Sequence, residues 1–294
     1  MNKVGFIGVG IMGKSMVRNL MKAGFELHIY ARTKSKVEDV IGEGAQFHES
    51  IKDCVQDCDA VITIVGFPQD VEEVYFDQGN ILDSAKKGAY LIDMTTTSPQ
   101  IAEKIYEEGT KRGFHVMDAP VTGGDTGAKA GTLSILVGGE KEDYEACMPL
   151  FEAMGTNINY QGKAGCGQHC KLANQIMIAG TLSGVCEALT YAKEQGLDPE
   201  VFMKSVATGA AGSKQLDTFG PKILKDDYAP GFFMKHFIKD MKLALIEANR
   251  KGLSLDVLSM VLANYEELEQ EGYGDLGTQA LMKFYDEEHR NMEG

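Results

Sequence analysis

The stretch Gly8-Val9-Gly10-Ile11-Met12-Gly13 constrains this chain more than any other. It follows an apolar run, Val4-Gly5-Phe6-Ile7, and leads into a helical pattern that puts Met16, Val17, Leu20 and Met21 on one face. Strand, glycine turn, helix is the context in which G-x-G-x-x-G acts as a dinucleotide fingerprint. Gly8 permits the tight turn, Gly10 has no side chain to block a pyrophosphate, and Gly13 lets the helix pack close to the strand. The free N–H groups of the first helical turn, around Ile11 and Met12, suit an anion. The alternative is a strand-to-helix turn that binds nothing. The placement between a clear strand and a clear helix favours bound NAD or NADP.

The 294 residues suffice for two domains. A net charge of −14 argues against nucleic acid as a partner, because phosphate backbones are bound by basic surfaces. A small anionic substrate needs only a few local positive groups. No uninterrupted apolar stretch is long enough to span a bilayer, and the chain enters a strand almost at once. The expectation is a cytoplasmic protein with no membrane partner. Cys166, His169 and Cys170 lie close on a helical stretch, but no convincing fourth ligand stands nearby and the usual zinc spacings are absent. Buried or half-buried thiols are expected there, and no metal.

Up to about Gly162, apolar runs at 4–7, 27–30, 60–65, 90–94, 116–119, 134–137 and 158–160 alternate with amphipathic stretches such as 34–42, 71–76 and 99–111. That rhythm predicts an α/β domain, a mainly parallel, doubly wound sheet, with room for antiparallel neighbours among the later strands. After Gly165 the character changes. Residues 168–194 contain no proline and carry Leu172, Ile176, Ala179, Leu182, Val185, Leu189 and Ala192 at three- and four-residue steps, which predicts one long helix. Further helices are expected from Asp198-Pro199, from Gly220-Pro221, over 236–252, over 254–272 and from Gly277 to about His289. The predicted domains are 1–162, dinucleotide-binding, and 163–294, all-helical, joined through the long helix.

The end of the second strand selects the cofactor. An NAD enzyme usually carries Asp or Glu there to accept hydrogen bonds from the ribose 2′-OH. This chain reads Ile29-Tyr30-Ala31-Arg32-Thr33-Lys34, so Arg32 stands where a 2′-phosphate would sit, with Thr33 beside it. NADP(H) is preferred on this reading and NAD(H) remains possible; the alternative is a solvated basic turn. Three later segments stand out. In Asp118-Ala119-Pro120-Val121-Thr122-Gly123-Gly124 a hydroxyl and two glycines expose N–H groups suited to a carboxylate, or make an ordinary turn. In Gly165-Cys166-Gly167-Gln168-His169-Cys170-Lys171-Leu172-Ala173-Asn174, Lys171 and Asn174 share a helix face. Phe237-Ile238-Lys239-Asp240 also reads as helical, and by itself its Lys-Asp pair is surface charge.

In this order and spacing, with Asp93-Met94-Thr95-Thr96-Thr97-Ser98-Pro99, these motifs resemble the β-hydroxyacid dehydrogenase family, and the resemblance covers the whole chain. It implies a Rossmann domain plus a helical substrate and dimerisation domain, assembled as a homodimer or homotetramer. It implies Lys171 as catalytic acid/base. Thr122, Gly123, Gly124, Asn174 and Asp240 would form the substrate set, with Thr95 and Lys239 beside the cofactor. A short carboxylate-bearing hydroxy acid or aldehyde acid is the implied substrate. In reduction, charge grows on the carbonyl oxygen, and a lysine ammonium stabilises it and donates the proton. In oxidation, a neutral lysine accepts the alcohol proton. Decarboxylating 6-phosphogluconate relatives have His-Asn after the lysine, where this chain has Asn174-Gln175. Imine-reducing and non-catalytic relatives lack the lysine. Two departures stand out: Val65-Gly66-Phe67-Pro68, where members often have Leu-Pro, and Lys214, where many have an aromatic. The competing readings are an NAD-linked 3-hydroxyisobutyrate dehydrogenase and a cofactor-binding scaffold without turnover.

Overall fold

The computed structural model describes residues 1–285, which form two compact units, Met1–Lys171 and the chain from Leu172 on. The first unit holds one nine-stranded sheet: β1 (Lys3–Ile7), β2 (Glu26–Tyr30), β3 (Gln46–His48), β4 (Ala60–Thr63), β5 (Tyr90–Asp93), β6 (His115–Asp118), β7 (Val121–Thr122), β8 (Leu133–Gly139) and β9 (Gly155–Gly162). Their order is β3-β2-β1-β4-β5-β6-β8-β7, with β9 also paired to β8. Strands β1 to β6 run parallel to their neighbours in that group. The antiparallel pairs expected among the later strands are β6 with β8 and β7 with β8, while β8 and β9 are parallel.

The strand order reverses between β1 and β4. This is the switch point of a Rossmann sheet, where ligands bind beyond the carboxyl ends of the strands. The central strands are apolar on both faces because helices cover both. Phe6, Ile62 and Ile92 enter one core, while their neighbours Ile7, Val61 and Leu91 enter the other. β3 and β7 carry no apolar run for the sequence to show, and each is held by its partner strand. The stretch 34–42 is a 3₁₀ turn, Lys34–Lys36, followed by a short helix, Glu38–Gly42, rather than one helix. The helix Pro99–Lys111 forms where its pattern puts it, with Pro99 in the first turn and Ser98 Oγ accepting from Gln100 N at 3.2 Å.

The long helix, Cys166–Glu194, begins in the first unit and continues into the second. The compact units divide inside it, after Lys171, and its first turn is bonded to the sheet. It is the one described helix long and apolar enough to cross a membrane, with mean hydropathy 1.2. Its buried row Leu172, Ala179, Leu182 and Leu189 builds the core of the second unit with Phe237, Met241, Val261 and Tyr265.

Pro199–Val206 starts as expected, with Asp198 accepting from the N–H groups of Glu200 and Val201 at 2.9 and 3.0 Å. Gly220-Pro221 does not start a helix, contrary to expectation. That helix is Lys214–Ile223, opened by Ser213 Oγ, which accepts from Leu216 N at 3.1 Å. Pro221 lies near its end, where the missing N–H forfeits only the bond to the carbonyl four residues back. Met234–Arg250 and Asp256–Gln270 follow. Of the stretch expected from 277 to 289, Thr278–Tyr285 is 3₁₀ helix, with Thr278 O accepting from Tyr265 Oη at 2.7 Å. Its remainder, and with it the end of the 163–294 domain, lies outside the described residues.

Candidate functional site

The glycine loop leaves β1 at the switch point. Gly8 has φ +97°, and a Cβ on it would lie 2.1 Å from the Ile64 carbonyl oxygen, just past β4. A Cβ on Gly13 would lie 2.2 Å from Gly8 O. Backbone packing thus demands these two glycines. Gly10 is different, because a Cβ there would meet nothing within 4 Å. Open space lies in front of the helix Ile11–Lys22, whose N-terminus has no side-chain cap. Ile11 is exposed and Met12 half-buried. Space plus uncapped amides fits a pyrophosphate. At the end of β2, Arg32 is exposed and pairs with Asp70 at 3.2 Å, and Thr33 leads into the 3₁₀ turn. With the guanidinium side of the pair open to solvent, such a pair contributes on the order of 1 kcal/mol, so an arriving phosphate can compete for the guanidinium.

The carboxyl ends of β4, β5 and β6 set Thr63, Asp93 and Asp118 side by side in register. Asp93 Oδ1 accepts from Thr63 Oγ1 at 2.7 Å and from Thr95 N at 3.1 Å. Thr63 spends its hydroxyl proton there, so Tyr75 Oη donates to Thr63 Oγ1 at 3.2 Å. Burial pushes the Asp93 carboxyl up to about 6. Thr95, expected to border the cofactor, is buried, and its Oγ1 accepts from Val65 N at 3.0 Å. The divergent segment starting at Val65 is therefore tied to Thr95.

Asp118 caps the long helix from the end of β6. Its two carboxylate oxygens accept from Gly165 N and Gln168 N, each at 2.8 Å. Burial raises this carboxyl from the ordinary aspartate value, against the pull of those two donors. A negative group at a helix N-terminus is also favoured by the helix dipole. The fit is tight: a Cβ on Gly167 would lie 2.3 Å from Leu136 O and 2.7 Å from Asp118 Oδ2. Lys171 follows in the next turn, 7% exposed. Downstream of Asp118, Thr122 is half-buried in β7, while Gly123 and Gly124 are exposed with φ +131° and +63°. They open the helix Gly124–Ala130. Those backbone angles favour glycine in their own right.

In the second unit, Asn174 Nδ2 donates to Gln175 Oε1 at 2.8 Å, and Gln175 Nε2 donates to Asp240 Oδ2 at 2.6 Å. Lys239 Nζ pairs with the other Asp240 oxygen at 2.9 Å. Asp240 is fully buried and Lys239 is half-buried, with 12% of its side chain exposed, which removes the surface-charge reading of this pair. Asp240, expected among substrate contacts, is engaged by Gln175 and Lys239. Cys170 and Cys166 are half-buried and His169 is exposed. Among the described residues no group of three or more His, Cys, Asp or Glu could hold a metal ion. Sequence reasoning gave no role to Asp93, Asp118, Gln168 or Gln175. Their signal was a polar residue ending a buried strand, or one within a turn of Lys171 or Asn174.

Residues 3–162 match the family model of the NAD binding domain of 6-phosphogluconate dehydrogenase. Residues 165–285 match the one described as NAD-binding of NADP-dependent 3-hydroxyisobutyrate dehydrogenase. The chain is 44% identical over 281 residues to a probable mitochondrial 3-hydroxyisobutyrate dehydrogenase-like protein of Arabidopsis thaliana, covering 95% of this chain and 84% of that one. It is 37% identical over 253 residues to 2-hydroxy-3-oxopropionate reductase of Escherichia coli, covering 86% of each. Among solved structures, Mycobacterium tuberculosis 3-hydroxyisobutyrate dehydrogenase with L-serine superimposes with TM-score 0.87 at 26% identity, over 96% of this chain and 98% of that one.

Proposed function

The chain belongs to the β-hydroxyacid dehydrogenase family, and on that premise we propose that it interconverts a short aldehyde acid and its β-hydroxy acid with NADP(H), using Lys171 as acid/base. The observation that carries the proposal is a buried lysine one turn into a helix whose start is bonded to the carboxyl edge of the sheet. The bound nicotinamide would supply or accept the hydride. Lys171 donates a proton to the substrate oxygen in reduction and takes it back in oxidation. Its ammonium stabilises the charge growing on that oxygen. Thr122, Gly123 and Gly124 present a hydroxyl and exposed backbone to the substrate carboxylate. Asn174 stands three residues after Lys171 on the same helix, held by Gln175 and, through it, by Asp240.

Arg32 supports the preference for NADP(H), since a guanidinium rather than an acid follows β2. A preference for NAD in steady-state kinetics would favour the second reading, an NAD-linked 3-hydroxyisobutyrate dehydrogenase. A panel of glyoxylate, succinic semialdehyde and tartronate semialdehyde with NADPH or NADH, and of 3-hydroxyisobutyrate and L-serine with the oxidised cofactors, identifies the substrate. With the best of these, Lys171→Ala should slow hydride transfer by about 10²–10⁴-fold in stopped flow while still binding cofactor. Lys171→Arg should rescue poorly, because a guanidinium does not deprotonate near neutral pH. Near wild-type hydride transfer by Lys171→Ala would falsify the assignment. Turnover of no panel member would point to the scaffold instead.

A further inference from the structure

We infer that Gln168 is a positioning residue for the reaction, a clamp that sets the Lys171 turn against two loops at the carboxyl edge of the sheet. The inference rests on the reading of Lys171 as acid/base. Gln168 is fully buried, and a buried primary amide is costly unless both its ends are bonded. Both ends are. Nε2 donates to Thr95 O at 2.7 Å, and Oε1 accepts from Thr97 N at 3.0 Å. A carbonyl and an N–H two residues apart are what one strand offers another, so the side-chain amide pairs with this loop as a peptide group would. The backbone N–H of the same residue donates to Asp118 Oδ2. One residue therefore ties the helix to the loop after β5, which carries Thr95, and to the carboxylate that precedes Thr122, Gly123 and Gly124.

The turn has little slack. Gly167 is backed against Leu136 O and Asp118, and Gly138 is closed in by Asp118 and Gly167 N, where a Cβ would lie at 2.5 and 2.8 Å. Lys171 is one turn further on, so a rotation of the first turn moves it directly. A side chain lacking either the donor or the acceptor breaks the clamp differently. Leucine loses both bonds. Glutamate keeps an acceptor for Thr97 N but, when ionised, sets a second oxygen against Thr95 O. A protonated glutamic acid restores the pattern of the amide.

The test compares wild type, Gln168→Leu and Gln168→Glu in stopped-flow hydride transfer with the best panel substrate and its cofactor, from pH 6 to 8. Each rate is normalised to folded protein and divided by the wild-type rate at the same pH. The ionisable neighbours Asp93, Asp118, Glu103, His169 and Lys171 are common to all three enzymes and so largely cancel. Gln168→Leu should lose about 10–100-fold in hydride transfer, the order of loss that small misplacement of a catalytic group produces. Its cofactor affinity should stay within about fivefold, because the pyrophosphate amides are elsewhere. The Gln168→Glu ratio should climb several-fold as the pH falls, and the Gln168→Leu ratio should not. Gln168→Leu at near wild-type rate, or a Gln168→Glu ratio flat with pH, overturns the clamp. So does lower thermal stability in both variants with unchanged rates, which is a purely structural role. If Gln168→Leu does not fold, the pH response of Gln168→Glu decides alone. Lys171→Ala run alongside separates the failures: if it transfers hydride normally, the acid/base reading falls and the clamp with it. If it is inactive while both Gln168 variants are normal, only the clamp falls.

Discussion

Asp93 shows how a single residue can hold a loop at a cost that depends on pH. One of its oxygens collects Thr63 and Thr95, and the other, Oδ2, is buried with no hydrogen-bond partner among the described residues. Burial raises its folded-state pKa to about 6, above the ordinary value near 3.9 that it regains on unfolding. Between those values the folded state binds the extra proton, so stability falls as pH rises from about 4 to about 6 and then levels. Asp93→Asn cannot ionise. Its stability relative to wild type should therefore rise over that window, by at most about 3 kcal/mol. Urea unfolding of both proteins at pH 4.5 and 7.5 measures it, and an equal difference at the two pH values would show that Asp93 does not titrate there. Nothing in the sequence around Asp93 announces this, since the shift comes from burial in the folded sheet and outweighs the opposing pull of the donors on Thr63 and Thr95. Gly8, Gly10 and Gly13, by contrast, are legible because local spacing defines them, and Lys171 is legible through the resemblance of its segment to the family.

At the scale of elements, the start of the long helix is where strand and helix constrain each other most. The strands at 4–7, 27–30 and 90–94 are legible because each carries its own apolar run. β3 and β7 are not, because pairing to a neighbour makes them strands. Gly167 obeys the same logic. In the sequence it is a helix-weakening residue in the first turn, and in the structure it is the only residue type that lets Asp118 reach the N–H of Gln168. Gly167→Ala forces a methyl group into Leu136 O and Asp118, which are backbone and capped carboxylate rather than flexible tips. Overpacking of this kind costs about 1–3 kcal/mol, so the thermal midpoint should fall by several degrees. Hydride transfer should fall too, through displacement of Lys171. A midpoint and rate both equal to wild type would mean that this contact is slack.

For the whole molecule, the two compact units carry separate cores, and the dinucleotide loop belongs to the first. A ligand that binds only the folded state stabilises it by about 2.7 kcal/mol at a hundredfold excess over Kd. NADPH should therefore raise the unfolding temperature more than NADH at equal concentration, and Arg32→Asp should shrink or reverse that order. Calorimetry reads both; a larger shift with NADH in wild type would sink the NADP preference. The sequence by itself determined the class of the fold, the dinucleotide loop and the long helix, because each rests on periodicity or glycine geometry along contiguous chain, and it pointed to the family through the resemblance of its motifs to known members. Only the tertiary structure decided the sheet order, the burial of Asp240 and the clamp formed by Asp118 and Gln168. Those depend on contacts between residues far apart in the chain, such as Thr97 with Gln168 or Gln175 with Asp240, and no local pattern encodes which of them meet.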